Sequence, residues 1–142
     1  NCKEKTYRYI INNSEYGTAI YRTLEFCVPQ KLDIEEMQKA AKHFEGEHDF
    51  KAFKASGTSS KSSVRTIYKA EVTKKDNRIY IELTGNGFLY NMVRIISGTL
   101  VDVGLGKIKE SDIPAIIESK NRQMAGKTLP PQGLYLVNVK YV

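Results

Sequence analysis

Apolar and polar residues alternate from the start of the chain. Tyr7, Tyr9 and Ile11 fall on one parity and Arg8 and Ile10 on the other, which predicts a strand over residues 5–11 with both faces partly covered. Polar residues 12–17 break it. A second β-rich run over 20–28 ends at Pro29. Asp33 then opens a capping box with Glu36, and Ile34, Met37, Ala40, Ala41 and Phe44 recur at helical spacing until Gly46 stops the helix. That stripe reads as core. Residues 47–50 and Phe53 lead into a low-complexity loop over 55–63. Residues 64–74 and 78–84 are predicted strands, joined as a hairpin through Lys75, Asp76 and Asn77.

A second helix follows around Arg94, with Gly104 and Gly106 as its stop, and a shorter one over 112–120 that Ser111 is placed to cap. The prolines and glycine of 127–133 exclude regular structure there. Residues 134–141 form the closing strand, with Leu134 and Leu136 on one face and Tyr135, Val137, Val139 and Tyr141 on the other. The order predicts one α+β domain over 1–142, with a ferredoxin-like, RRM-like antiparallel sheet and its helices packed on one face. The other face stays open. In RNA-binding modules that face carries the nucleic acid.

The Arg94 helix is unusual in its charge. Between residues 86 and 101 Arg94 is the only charged residue, although 27% of the chain is charged. In a helix, Phe88, Leu89, Met92, Val93, Ile95, Ile96, Thr99, Leu100 and Val103 make a wide apolar arc, with Arg94 opposite beside Tyr90, Ser97 and Gly98. A guanidinium under cover needs an anionic partner. No Asp or Glu lies within one helical turn. Either a distant carboxylate forms a structural pair, or the partner is a ligand or a part of the protein outside this chain. The short Ser97 and Gly98 read as the floor of a cavity into which the arginine points.

Twenty-two Lys and Arg against 16 Asp and Glu give a net charge of +6, which favours a polyanionic partner, with nucleic acid ahead of a membrane surface. No long apolar run, signal peptide or concentrated polybasic amphipathic helix is present. Cys2 and Cys27 make no disulfide framework, and with His43 and His48 they form no metal-ligand spacing, so no metal is expected and a reducing cytoplasm is the expected compartment. The first strand begins within a few residues of Asn1 and no initiator Met precedes it, as in a chain cut from a longer protein.

Several smaller signals each carry two readings. Gly85-Asn86-Gly87 either presents backbone N–H groups to an anion or is a turn. Tyr7 and Tyr9 either stack on an unpaired base or are half-buried strand residues. Lys54, Lys61 and Arg65 flank one loop, and Lys120, Arg122 and Lys127 another; each group is either a phosphate contact or a solvated surface. His48 beside Asp49 has no accompanying nucleophile and reads as a turn residue.

Taken in order, five separated segments are more specific than any of these. They are Lys5-Thr6-Tyr7-Arg8-Tyr9; Gly46-Glu47-His48-Asp49-Phe50 with Phe53; Val64-Arg65-Thr66-Ile67; the stretch from Gly85 through Met92-Val93-Arg94-Ile95-Ile96 to Gly104; and Ala125-Gly126-Lys127-Thr128 with Pro130 to Leu136. Together they resemble the C-terminal half of the TruA-type tRNA pseudouridine synthases. The resemblance implies cofactor-free isomerisation of uridine to pseudouridine in the anticodon stem-loop of tRNA, by a homodimeric enzyme. An aspartate attacks the nucleotide, the glycosidic bond breaks, and the base is turned and rejoined through carbon.

Carried over by position, Tyr7 matches the tyrosine that packs against the target base, Arg94 the arginine that pairs with the catalytic aspartate, and Leu134 an apolar residue lining the base pocket. Phe88, Lys54, Lys61, Arg65, Arg122 and Lys127 are the further expected substrate contacts. The family's aspartate lies in a Gly-Arg-Thr-Asp-Ala-Gly-type motif of the N-terminal half. None of Asp33, Asp49, Asp76, Asp102 or Asp112 has that context, so the chain is expected to be half an active site and inert alone. Two alternatives are a free-standing RRM-like RNA-binding module, whose aromatic RNP1 pattern is absent, and a small-ligand regulatory domain of the same fold.

Overall fold

The computed structural model describes residues 2–14, 26–55 and 62–141. Six strands form one sheet around β1 (Cys2–Asn12). β5 (Arg78–Gly85) runs antiparallel along one edge of β1, while β6 (Leu134–Tyr141) and β2 (Phe26–Cys27) share the other. β4 (Val64–Lys75) lies outside β5, and β3 (Gly46–Asp49) outside β4. All pairings are antiparallel except β1 with β2, where Ile11 meets Phe26 and Asn12 meets Cys27 in parallel register. The sheet is therefore mixed, and its ferredoxin-like α+β arrangement is otherwise as expected.

Strand parity decides which face is covered. Ile79, Ile81 and Leu83 of β5 are fully buried and alternate with half-buried Tyr80, Glu82 and Thr84. Their β1 partners Ile11, Tyr9 and Tyr7 share the inner face. Over it pack α1 (Ile34–Lys42), against β4, and α2 (Met92–Gly104), against β1 and α1. α3 (Ile113–Ser119) buries Ile113, Ile116 and Ile117 beside β3 and the turn Lys51–Phe53. Phe44, Phe50 and Phe53 fill that corner edge to face.

α1 keeps half of the predicted box. The Glu36 N–H donates to Asp33 Oδ1 at 3.2 Å, but the Glu36 carboxylate pairs with Lys39 at 3.3 Å instead of reaching back. Such a cap contributes about 1 kcal/mol.

Three expectations need correction. Residues 46–49 form β3, so His48 is a strand residue, its Nε2 bonded to the Glu45 carbonyl at 2.8 Å, and not a turn residue. α2 starts at Met92, leaving Phe88, Leu89 and Tyr90 in the approach to the helix. The short helix is preceded by a 3-10 turn, Glu110–Asp112, and Ser111 caps nothing; Asp112 is its N-cap, with no side-chain bond. Of the predicted strand over 20–28, Phe26–Cys27 is β2, and residues 20–25 lie outside the described residues.

Candidate active site

Three segments converge at one end of the inner face. β1 supplies Tyr7, whose register partners are Leu83 on β5 and Leu136 on β6. The next inner position pairs Tyr9 with Leu134, so the start of β6 lies beside the two tyrosines. The approach to α2 supplies Phe88, whose ring meets that of Tyr7 edge to face at 5.3 Å between centroids and 88° between planes. These walls enclose a cavity of about 380 Å3, lined among others by Tyr7, Phe88, Tyr90, Asn91, Arg94 and Leu134. It falls within the size range of small-molecule sites.

Arg94 sits in the first turn of α2. Its Nε donates to the Leu129 carbonyl at 2.7 Å and its Nη1 to Asn91 Oδ1 at 2.8 Å. Among the described residues no carboxylate lies within ion-pair distance of it. The first turn of α2 holds no acidic residue either. A helix N-terminus favours negative charge, so the guanidinium adds to a field that already calls for an anion.

Leu129 arrives because two glycines let the chain touch the helix. A Cβ on Gly98 would collide with the Lys127 carbonyl, and one on Gly126 would come within 2.7 Å of Thr99 N. The Gly126 N–H donates to Thr99 Oγ1 at 2.8 Å, and Leu129 N–H to the Arg94 carbonyl at 3.2 Å. Ser97 and Gly98, expected as a cavity floor, are instead buried, with Gly98 against this arm. The next carbonyl, Pro130, accepts from the Tyr9 hydroxyl at 2.6 Å. Burial pushes the Tyr9 phenol pKa above its ordinary value, partly opposed by the nearby positive charge of Arg94. Tyr9 is thus a core tie, and Tyr7 alone of the two lines the cavity.

The basic residues divide. Arg65 lies along Gly87, its Nη1 donating to the Ser62 and Val64 carbonyls, and the Ala55 N–H donates to the Tyr90 carbonyl at 3.3 Å, which ties the chain next to Lys54 to a residue that lines the cavity. Lys61 lies outside the described residues. Arg122 is tied to the Gly126 carbonyl and Thr128 Oγ1, and Lys127 stands over the Phe26 ring at 5.9 Å, in a different groove. Lys120 approaches Asp49 at 4.0 Å. Gly85-Asn86-Gly87 is a joint to β4, with Asn86 bonded to the Thr66 backbone in both directions, and does not adjoin the helix N-terminus. Among the described residues no group of three or more His, Cys, Asp and Glu is placed to hold a metal.

A sequence profile described as tRNA pseudouridine synthase matches residues 40–142. The chain belongs to this family. Curated relatives named tRNA pseudouridine synthase A agree along nearly all of it. The protein of Ruminiclostridium cellulolyticum is 56% identical over 142 residues, which cover 99% of this chain and 58% of the relative. That of Acetivibrio thermocellus is 53% identical over 98% of this chain and 57% of its own length. For that of Bacillus subtilis the identity is 42%, over 97% and 56%. The chain thus spans a little over half the length of these pseudouridine synthases. Asn91 and the Leu129 carbonyl were not found from the sequence, although the Asn91 turn ahead of the helix carried a weak signal.

Proposed function

We propose that this chain forms one wall of the active site of a tRNA pseudouridine synthase, with the nucleophilic aspartate supplied by the part of the family fold that these 142 residues do not span. The observation that carries this reading is Arg94, fixed in the first turn of α2 on the cavity wall, with no carboxylate partner among the described residues. A carboxylate delivered there gains a charge-assisted bond that holds it ionised and aimed. Tyr7, Phe88 and Leu134 offer the aromatic and apolar surface a uracil base needs while its bond to the sugar is broken. The reaction exchanges the sugar carbon's bond to a ring nitrogen of the base for a bond to a ring carbon of the same base; that ring carbon loses a proton and the released nitrogen gains one. It is an isomerisation and needs no co-reactant.

Lys54, Arg65 and, further away, Lys127 and Arg122 stand on this reading as backbone contacts to tRNA, which is the partner. It also places the protein in the cytoplasm and makes it a homodimer, the second on family resemblance alone. No helix among the described residues is long and apolar enough to cross a membrane. An RRM-like module would need aromatic residues on the open face. Thr6, Arg8, Tyr80, Glu82 and Thr84 stand there with Tyr135, the β6 partner of Arg8; the Tyr80 ring lies under the Arg8 guanidinium, itself tied to Glu82 at 2.7 Å, and Tyr135 is the exposed ring beside it.

The test is pseudouridine formation on an unmodified tRNA transcript by the intact protein, with the aspartate-bearing half present. Arg94→Ala and Arg94→Lys are each expected to lose about a hundredfold or more in kcat, because an ammonium cannot reproduce the planar fork. A lysine variant at wild-type rate would contradict the assignment.

A further inference from the structure

Asn91 holds a conformation that its position in the fold does not ordinarily call for. Among the described non-glycine residues Asp76, Asn91 and Lys120 have positive φ. Asp76 turns a hairpin and Lys120 closes a helix, both usual left-handed places. Asn91 is an N-cap, where extended backbone is the rule, yet it has φ 63° and ψ 6°. Its side chain makes no capping bond to the helix. Oδ1 accepts from Arg94 Nη1 at 2.8 Å instead.

We propose that Asn91 is a positioning residue for Arg94, an inference that rests on the active-site reading above. With the Leu129 carbonyl on Nε, the Asn91 amide fixes the guanidinium from two sides, leaving three of its five N–H donors for an incoming carboxylate. The residue type fits this task. Glycine adopts the left-handed turn more easily but has no acceptor. Aspartate has an acceptor and tolerates the turn, but its own carboxylate would neutralise the arginine. An amide holds the guanidinium and leaves its charge for the partner.

The intact protein carrying Asn91→Gly or Asn91→Asp tests this against tRNA transcript, with kcat, KM and thermal melting measured together. Both residues accept the left-handed turn, so melting should stay near that of the parent. Asn91→Gly is expected to lower kcat by about tenfold to a hundredfold with KM within about twofold, as misaim of a reacting pair does. Asn91→Asp is expected to fall about tenfold further, its carboxylate occupying Arg94 with a charge-assisted bond. A purely backbone role predicts wild-type kcat in both, and wild-type kcat in either overturns the inference. Arg94→Ala run alongside separates the two levels. If it keeps full kcat the active-site reading itself fails, whereas if it collapses while an Asn91 variant stays fully active, only the positioning role fails.

Discussion

Arg94 and Leu129 are bonded to each other twice: the Leu129 N–H donates to the Arg94 carbonyl at 3.2 Å, and Arg94 Nε donates to the Leu129 carbonyl at 2.7 Å. The first bond fixes the arm to the helix and the second fixes the guanidinium to the arm. A side chain with many rotamers is thereby held to one direction before any partner arrives, which removes an ordering cost at the moment of binding.

That arrangement depends on the missing side chain at Gly98. Gly98→Ala pushes against the Lys127 carbonyl and moves residues 125–129 away from α2. Overpacking of this kind costs about 1–3 kcal/mol. The variant should show a lower urea midpoint and, in the intact protein, a lower kcat. A shifted midpoint with unchanged kcat would mean that the arm does not govern Arg94.

Tyr9→Phe removes the bond to the Pro130 carbonyl and should cost about 1 kcal/mol at neutral pH. Its pH dependence has a definite sign. Burial raises the Tyr9 pKa in the folded protein, while unfolded tyrosine titrates near its ordinary value of about 10. Below that value both states hold the proton and the stabilisation is complete; above it the unfolded state alone releases the proton, and stability falls as pH rises. Denaturation midpoints followed from pH about 9 upward should decline more steeply for the parent than for Tyr9→Phe. Parallel declines would show that Tyr9 does not titrate differently in the two states.

The physical reasons for what was legible lie in particular residues. The β4–β5 hairpin and α1 announce themselves because buried positions such as Ile79, Ile81, Met37 and Ala40 recur with the period of the element. β3 has no buried residue; its pairing with β4 is made by the backbone, which leaves no apolar pattern. The apolar periodicity of α2 continues back through Phe88 and Leu89, whereas the Asn91 turn sets the true start of the helix. Arg94 stood out by its isolation in charge. Its two acceptors did not, since one is a main-chain oxygen 35 positions away and the other follows from a turn. Small residues at 97 and 98 suggested empty space, yet a small residue equally permits close approach, and the arm fills it.

Tyr7 should separate binding from chemistry. Its ring is set edge to face on Phe88 at the cavity wall, so Tyr7→Ala in the intact protein should raise KM for tRNA as well as lower kcat. Tyr7→Phe keeps the ring and should leave KM within about twofold while lowering kcat. Full kcat in Tyr7→Phe would remove the hydroxyl from the chemical step and leave the ring as a binding surface only.

The most direct measurement is pseudouridine formation by the 142-residue chain alone on unmodified tRNA, set beside the same chain joined to the aspartate-bearing half of the family fold. With Arg94 in place and no aspartate to pair with it, the chain alone should convert no uridine, and the joined protein should do so. Pseudouridine formed by the 142 residues by themselves would contradict the account of Arg94 as one half of a shared active site.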